Sequence, residues 1–216
     1  MSHTFTDRRG GFSSGAYESL NLALHVNDDP AVVVRNRATL GSVQFMNQVH
    51  GNEVLVVDTF LPSDPTCDGL ITTNPDLTLA VMVADCIPLL LISKEAVAAV
   101  HVGRAGIVNR VAKVAVEKMR ALGADKIHAL LGPSICGRCY EVPFELQQLV
   151  VAEHPAAMAT TRHQSSALDL PAALIAQLVN LELSYEASMV CTLEDPLYFS
   201  HRRENPTGRF AGLVKL

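Results

Sequence analysis

The sixteen residues from Leu77 to Ile92 are the most apolar stretch of the chain, and they contain a charge and a proline, Asp85 and Pro88. That combination limits what the stretch can become. It falls short of the ~20 apolar residues needed to cross a bilayer. Proline inside a helix removes a hydrogen bond and clashes with the preceding turn. The stretch therefore reads as two buried strands, Leu79–Ala84 and Leu89–Ser93. A third strand, Val97–His101, follows after a short loop.

The rest of the composition agrees with a packed core. The chain has 216 residues, 49% hydrophobic and 18% charged. This excludes a disordered chain and fits one domain, residues 1–216. There are 17 Lys and Arg against 22 Asp and Glu, a formal net charge of −5. An acidic balance argues against nucleic-acid binding, which normally shows a basic patch. No membrane segment is expected. The first residues include Arg8 and Arg9, but no apolar run follows, so no signal peptide is expected. Five cysteines are odd in number and thinly spread, which favours free thiols and a cytoplasmic location. There is no Trp.

Helices are expected from Pro30 to about Leu40, capped by Asp28 and Asp29. Further helices are expected at Arg104–Leu122, Phe144–Glu153 and Leu170–Leu181. In Arg104–Leu122, Val108, Val111, Ala115, Val116 and Met119 share one stripe, and Gly123 ends the helix. Strands are expected at Val54–Asp58, Ile127–Leu131, Met189–Thr192 and Phe210–Val214. The segment Leu61–Pro75, rich in Pro, Ser, Asp and Thr, reads as a loop. Strands occur both in runs and between helices. The fold class is thus α+β, a layered sandwich of mixed sheets flanked by helices.

Strand register gives the first functional lead. If Leu89–Ser93 and Val97–His101 form a hairpin with Ile92 opposite Val97, then Leu90 faces Ala99 and Pro88 faces His101. Side chains alternate, so Cys86 would lie diagonally from His101 if the strand extends back past Pro88. Diagonal neighbours are about 7–8 Å apart, within range of one metal ion. Cys and His suit zinc or another borderline-soft metal. Two ligands are too few, and spacing does not choose among His50, His25 and His201 for a third. A Cys between apolar strands is also an ordinary small core residue.

Other candidates have equally bland alternatives. Cys136-Gly137-Arg138-Cys139 is a lone CxxC, half of a zinc site or a redox pair. With no second CxxC, a zinc site built from two such pairs is excluded, and a structural role in a loop is expected. Asp85 suits a general acid or base, or a turn cap. Arg202, Arg203 and Arg209 suit an anion such as phosphate, or a solvated surface cluster. Serine-hydrolase, P-loop and dinucleotide-binding motifs are absent.

Ten segments taken together resemble one family. They include Ser19-Leu20-Asn21-Leu22, Asn36-Arg37, Gln48-Val49-His50-Gly51 and Cys67-Asp68-Gly69-Leu70-Ile71-Thr72. They continue with Ala84-Asp85-Cys86-Ile87-Pro88, Val100-His101, Leu131-Gly132-Pro133-Ser134-Ile135, Cys139-Tyr140-Glu141-Val142, Cys191-Thr192, and Ser200–Arg203 with Thr207-Gly208-Arg209. In this order they resemble the laccase-domain family, also labelled multicopper polyphenol oxidase or peptidoglycan-editing factor. Relatives are described as purine nucleoside phosphorylases with adenosine deaminase activity. The resemblance implies a metal site of His50, Cys86 and His101, with zinc rather than copper as the ion. It also places Arg8 and Asn21 near the pocket; beside these, Cys86, His101 and Asp85 are expected as catalytic residues, and Arg202 and Arg203 for substrate. Adenosine, inosine or methylthioadenosine, with phosphate, would be the substrates. Alternatives are a copper phenol oxidase, a metal-free cysteine hydrolase using Cys86 and His101, and an editing factor for cell-wall precursors. One departure stands out. Relatives read His-Ala-Gly-Trp-Arg-Gly where this chain has His101-Val102-Gly103-Arg104-Ala105-Gly106. His201 likewise stands where relatives often have Tyr.

Overall fold

A computed structural model describes residues 1–216. The first half of the chain contains β1 (Ser2–Phe5), α1 (Pro30–Ala38), β2 (Val43–Gln44), β3 (Val54–Val56), β4 (Gly69–Thr72), β5 (Thr78–Val83), β6 (Ile87–Ile92) and β7 (Val97–Val102). The second half contains α2 (Arg104–Val108), α3 (Val111–Ala121), β8 (His128–Leu131), α4 (Phe144–Glu153), β9 (Met158–Thr160), β10 (Ser166–Leu168), α5 (Leu170–Asn180), β11 (Ser184–Ala187) and β12 (Phe210–Lys215).

Two sheets make the body. One has the order β1-β12-β5-β2 and the other β11-β8-β6-β7-β4-β3, with β9 and β10 forming a separate hairpin. Period-two alternation assigns each strand face to a layer. Leu79, Val81 and Val83 of β5 meet Leu90 of β6, Val97 and Ala99 of β7, and Phe210 of β12 between the sheets. The opposite face of the six-stranded sheet, including Leu89, Leu91, Ala98 and Val100, packs against Val111, Ala115, Val116 and Met119 of α3 and Leu174 and Leu178 of α5. The outer face of the smaller sheet is covered by Leu20, Leu22 and Phe45 on Ala80, Met82 and Ala211. This is the expected α+β sandwich.

The apolar stretch does form two buried strands, but they lie in different sheets. β5 pairs with β12 and β2, whereas β6 pairs with β7 and β8. Ala84-Asp85-Cys86 is thus the corner where the chain crosses between sheets, and Asp85 takes φ +86° to turn it. The hairpin register is the expected one, with Ile92 opposite Val97, Leu90 opposite Ala99 and Pro88 opposite His101. Pro88 is tolerated because the N–H of His101 donates to the Asp68 carbonyl on the other side, at 2.8 Å. The missing N–H at Pro88 therefore removes no bond to β7. Cys86 lies outside the strand, which begins at Ile87.

Three expectations need correction. Gly69–Thr72 is a fully buried strand inside the segment read as loop. It pairs parallel to β3 and antiparallel to β7; the polar composition around it masks Leu70 and Ile71. Met189–Thr192 is not a strand. The edge strand is the more polar Ser184–Ala187, parallel to β8, while Met189 is 95% exposed. Finally, Arg104–Leu122 is two helices, because Arg110 adopts φ +58°. Val108, expected on the buried stripe, is exposed as a result. Asp29 caps α1 as expected, accepting from the Ala31 N–H with Pro30 in the first turn.

Candidate metal centre and pocket

The corner between the sheets forms one wall of a cavity of about 430 Å³, within the usual range for small-ligand pockets. His50, Cys86 and His101 lie together in its lining. Their ligand atoms all fall within 4.8 Å of one another, so the trio converges as expected. Each arrives from a different element: His50 from a turn before β3, Cys86 from the corner and His101 from β7.

Asp68, at the entry to β4, organises two of the three. Its side chain is fully buried. One carboxylate oxygen accepts from the His50 N–H at 2.9 Å and lies 2.8 Å from His101 Nδ1. The other accepts from the N–H groups of Gly51 at 2.6 Å and Val49 at 3.3 Å. This bond network holds His50 at φ +57°, a conformation rarely found in non-glycine residues. With Nδ1 held by Asp68, His101 presents Nε2 to the cavity. A carboxylate behind a histidine in this way is a recurrent support for metal ligation.

Electrostatics follow the geometry. Burial opposes the charge on Asp68, but its bond to His101 and the N–H groups of Gly51 and Val49 prevail, and its carboxyl titrates below the ordinary range. Burial also opposes protonation of His101. Attraction to Cys86 and hydrogen bonding to the Asp68 carboxylate outweigh this and raise the imidazole to about 9. His50 is shifted down by burial and by the neighbouring His101.

Gly103, just after β7, makes room for the trio. A Cβ there would lie 3.0 Å from Cys86 Sγ and 3.1 Å from His50 Nδ1. The expected result of Gly103→Ala is displacement of both ligand atoms and weaker metal binding in an otherwise folded protein. Zinc titration beside thermal unfolding checks this, and unchanged zinc affinity would count against the assigned ligand set.

The other expected site residues separate into two groups. Arg202 lines the cavity, stacks over Tyr140 with its guanidinium 5.1 Å from the ring centre, and donates to the Glu141 carbonyl at 3.1 Å. Asp85 also lines the cavity, yet both of its carboxylate oxygens already accept bonds, from Thr192 Oγ1 and from the Arg202 N–H, each at 2.7 Å. Arg8, Asn21 and Arg203 lie outside the lining. Arg8 pairs with Glu204 at 3.5 Å and donates to the Glu18 carbonyl at 2.6 Å. Arg203 donates to the carbonyls of Thr192, Leu193, Asp195 and Tyr198. Asn21 is fully buried and accepts from the Arg209 N–H at 3.0 Å.

Arg209 itself faces the cavity, and burial lowers its pKa. Sequence reasoning grouped it with Arg202 but gave no role to Asp68, Gly103, Tyr140 or Gln48. The signal for Asp68 was an ionisable residue inside Cys67–Thr72, a run otherwise suited to a buried strand. Arg104, at the start of α2, bears electrostatically on both His50 and Tyr140, opposing charge on the former and favouring ionisation of the latter.

A family model described as multi-copper polyphenol oxidoreductase laccase matches residues 2–216. A purine nucleoside phosphorylase of Streptomyces coelicolor is 46% identical, with 98% of this chain and 94% of that protein aligned. A purine nucleoside phosphorylase of Mycobacterium tuberculosis is 44% identical over 97% of this chain and 89% of its own length. Among solved structures, a Neisseria meningitidis protein superposes with a TM-score of 0.89 at 31% identity, covering 99% of this chain and 93% of that one.

Proposed function

Since the chain belongs to the multi-copper polyphenol oxidoreductase laccase family, we propose that it is a zinc-dependent purine nucleoside phosphorylase. Adenosine, inosine or methylthioadenosine would be its nucleosides, and adenosine deamination a second activity of the same pocket. The observation that carries this reading is the convergence of His50, Cys86 and His101 on a cavity that also presents Arg202 and Arg209. Relatives at 44–46% identity are named for this activity.

The donor set fits a catalytic zinc site: two imidazoles and one thiolate leave a fourth position for water or substrate. Asp68 behind His101 and the cradle at Gly103 support the same fit. A zinc ion held there would supply Lewis acidity at the floor of the cavity. In phosphorolysis, a phosphate oxygen bonds to C1′ of the ribose as the C1′–N9 bond breaks, and the purine takes the electron pair. Two guanidiniums, Arg202 and Arg209, suit the phosphate. Asp85 acts by fixing Arg202, since its own oxygens are already engaged. Asn21 does the same for the backbone of Arg209, and Arg203 ties together the loop that precedes both. Five free thiols suit a cytoplasmic enzyme, and no helix is long and apolar enough to cross a membrane.

The reading predicts that Arg202→Met raises the KM for phosphate about tenfold or more, as expected for loss of a charge-assisted contact of roughly 1.5–3 kcal/mol. Nucleoside KM should change much less. Initial rates over a phosphate series measure both. An unchanged phosphate KM would remove Arg202 from the anion site. Chelation provides the companion test: activity that survives complete metal removal, with Cys86 covalently labelled by substrate, would favour a cysteine hydrolase.

A further inference from the structure

We propose that the protein has a second, structural zinc site, formed by Cys136, Cys139, Cys191 and Glu194 on the loop wall beside the pocket. The Sγ atoms of the three cysteines and a carboxylate oxygen of Glu194 all lie within 4.8 Å of one another. A tetrahedral zinc with Zn–S bonds of about 2.3 Å places its ligand atoms about 3.8 Å apart, so a small contraction completes the site.

Two turns present the ligands. In the first, the N–H groups of Cys139 and Tyr140 both donate to the Cys136 carbonyl at 3.0 Å, which puts both thiols on one side. In the second, the N–H groups of Glu194 and Asp195 donate to the Cys191 carbonyl at 3.1 and 2.9 Å. Cys191-Thr192-Leu193-Glu194 thus supplies the partner pair that a search for a second CxxC misses. The turns are docked against each other: the Cys136 N–H points at Cys191 Sγ at 3.4 Å, and Cys139 Sγ lies 3.3 Å from Glu194 Oε1. Gly137 is pressed so closely on Asp169 that a Cβ would approach it to 2.6 Å, which fixes the first turn against the start of α5. Arg162 pairs with Glu194 and offsets part of the negative charge of three thiolates and a carboxylate.

Position suggests the purpose. Tyr140 directly follows Cys139 and stacks with Arg202, and Thr192 directly follows Cys191 and bonds to Asp85. A zinc joining the two turns would hold both contacts in place from outside the cavity. Binding is not a redox step: three thiol protons leave as the ion enters.

The test is metal counting by native mass spectrometry on the full chain loaded with zinc and dialysed. Two zinc ions per chain are expected in the wild type, and one in the Cys136→Ser/Cys139→Ser double variant. In Cys86→Ala the one remaining ion should be in the thiolate-rich site, so cobalt in its place should give intense thiolate charge-transfer absorption. Should the double variant fail to fold, alkylation mapping of the wild type is decisive. Zinc should protect Cys136, Cys139 and Cys191 from alkylation, and chelation should expose them. A zinc count in the double variant equal to that of the wild type, equal labelling of the three cysteines with and without zinc, or a disulfide between two of them in the zinc-loaded protein would overturn the proposal.

Discussion

Cys86→Ala should lose the pocket metal and nucleoside conversion together while keeping its fold. Cys86 is one of only three converging candidate ligands, and two protein ligands do not make a stable zinc site. Lewis-acid stabilisation by a bound metal is worth several kcal/mol, so the rate should fall roughly 10³-fold or more. The folding cost should be small. Cys86 is half-buried at the corner after β5 and contributes no ladder bond to β6, which begins one residue later. Metal analysis, circular dichroism and steady-state rates on one preparation check all three statements. Full metal retention in this variant would remove Cys86 from the ligand set, whatever happened to the activity.

Asp68→Ala should be the most damaging single change for stability and site together. The carboxylate is fully buried and receives three backbone N–H groups as well as His101 Nδ1. Its removal leaves a buried histidine and three N–H groups without their partner. Removing one member of a buried pair costs about 3–5 kcal/mol, a large share of the roughly 5–15 kcal/mol that stabilises a domain. His50 would also lose the bonds that hold its left-handed turn. Loss of a group supporting a metal ligand lowers affinity about 10–100-fold. Urea unfolding and zinc competition measure the two effects separately. Asp68→Asn keeps an acceptor for part of the network and should fall between wild type and alanine on both scales. Wild-type stability and affinity in Asp68→Ala would contradict the role given to this residue.

The sequence made the hairpin legible because its pattern and its geometry agree. Val97–His101 and Leu89–Ser93 alternate cleanly, the loop between them is short, and one register follows. What it could not show was the crossing at Ala84-Asp85-Cys86. A corner between two sheets and a continued strand carry the same apolar flanks, and only tertiary pairing tells them apart. For the same reason Cys86 reaches the candidate metal site by a route other than strand alternation, though it arrives beside His101 as expected. β4 was hidden by the polar loop that contains it, and with it went the role of Asp68. The second thiol cluster was half visible, as a CxxC. Its other half became visible only when Ser134 and Cys191 were brought side by side by a single bridge between distant loops. Among the arginines, sequence alone identified a cationic group near the end of the chain. Packing then divided it: Arg203 is consumed by four carbonyls, while Arg202 and Arg209 face the cavity.

The missing Trp also acquires a location. Arg104 follows His101 by three residues, in the segment where the resemblance predicts a Trp, and its charge reaches Tyr140 in the pocket wall.

The most direct test of the central claim is chromatography of adenosine and inosine incubated with the zinc-loaded protein, with and without phosphate. The account predicts free purine base and a phosphorylated ribose only when phosphate is present, with inosine appearing from adenosine in either condition. Conversion of neither nucleoside, or base release that is indifferent to phosphate, would contradict it.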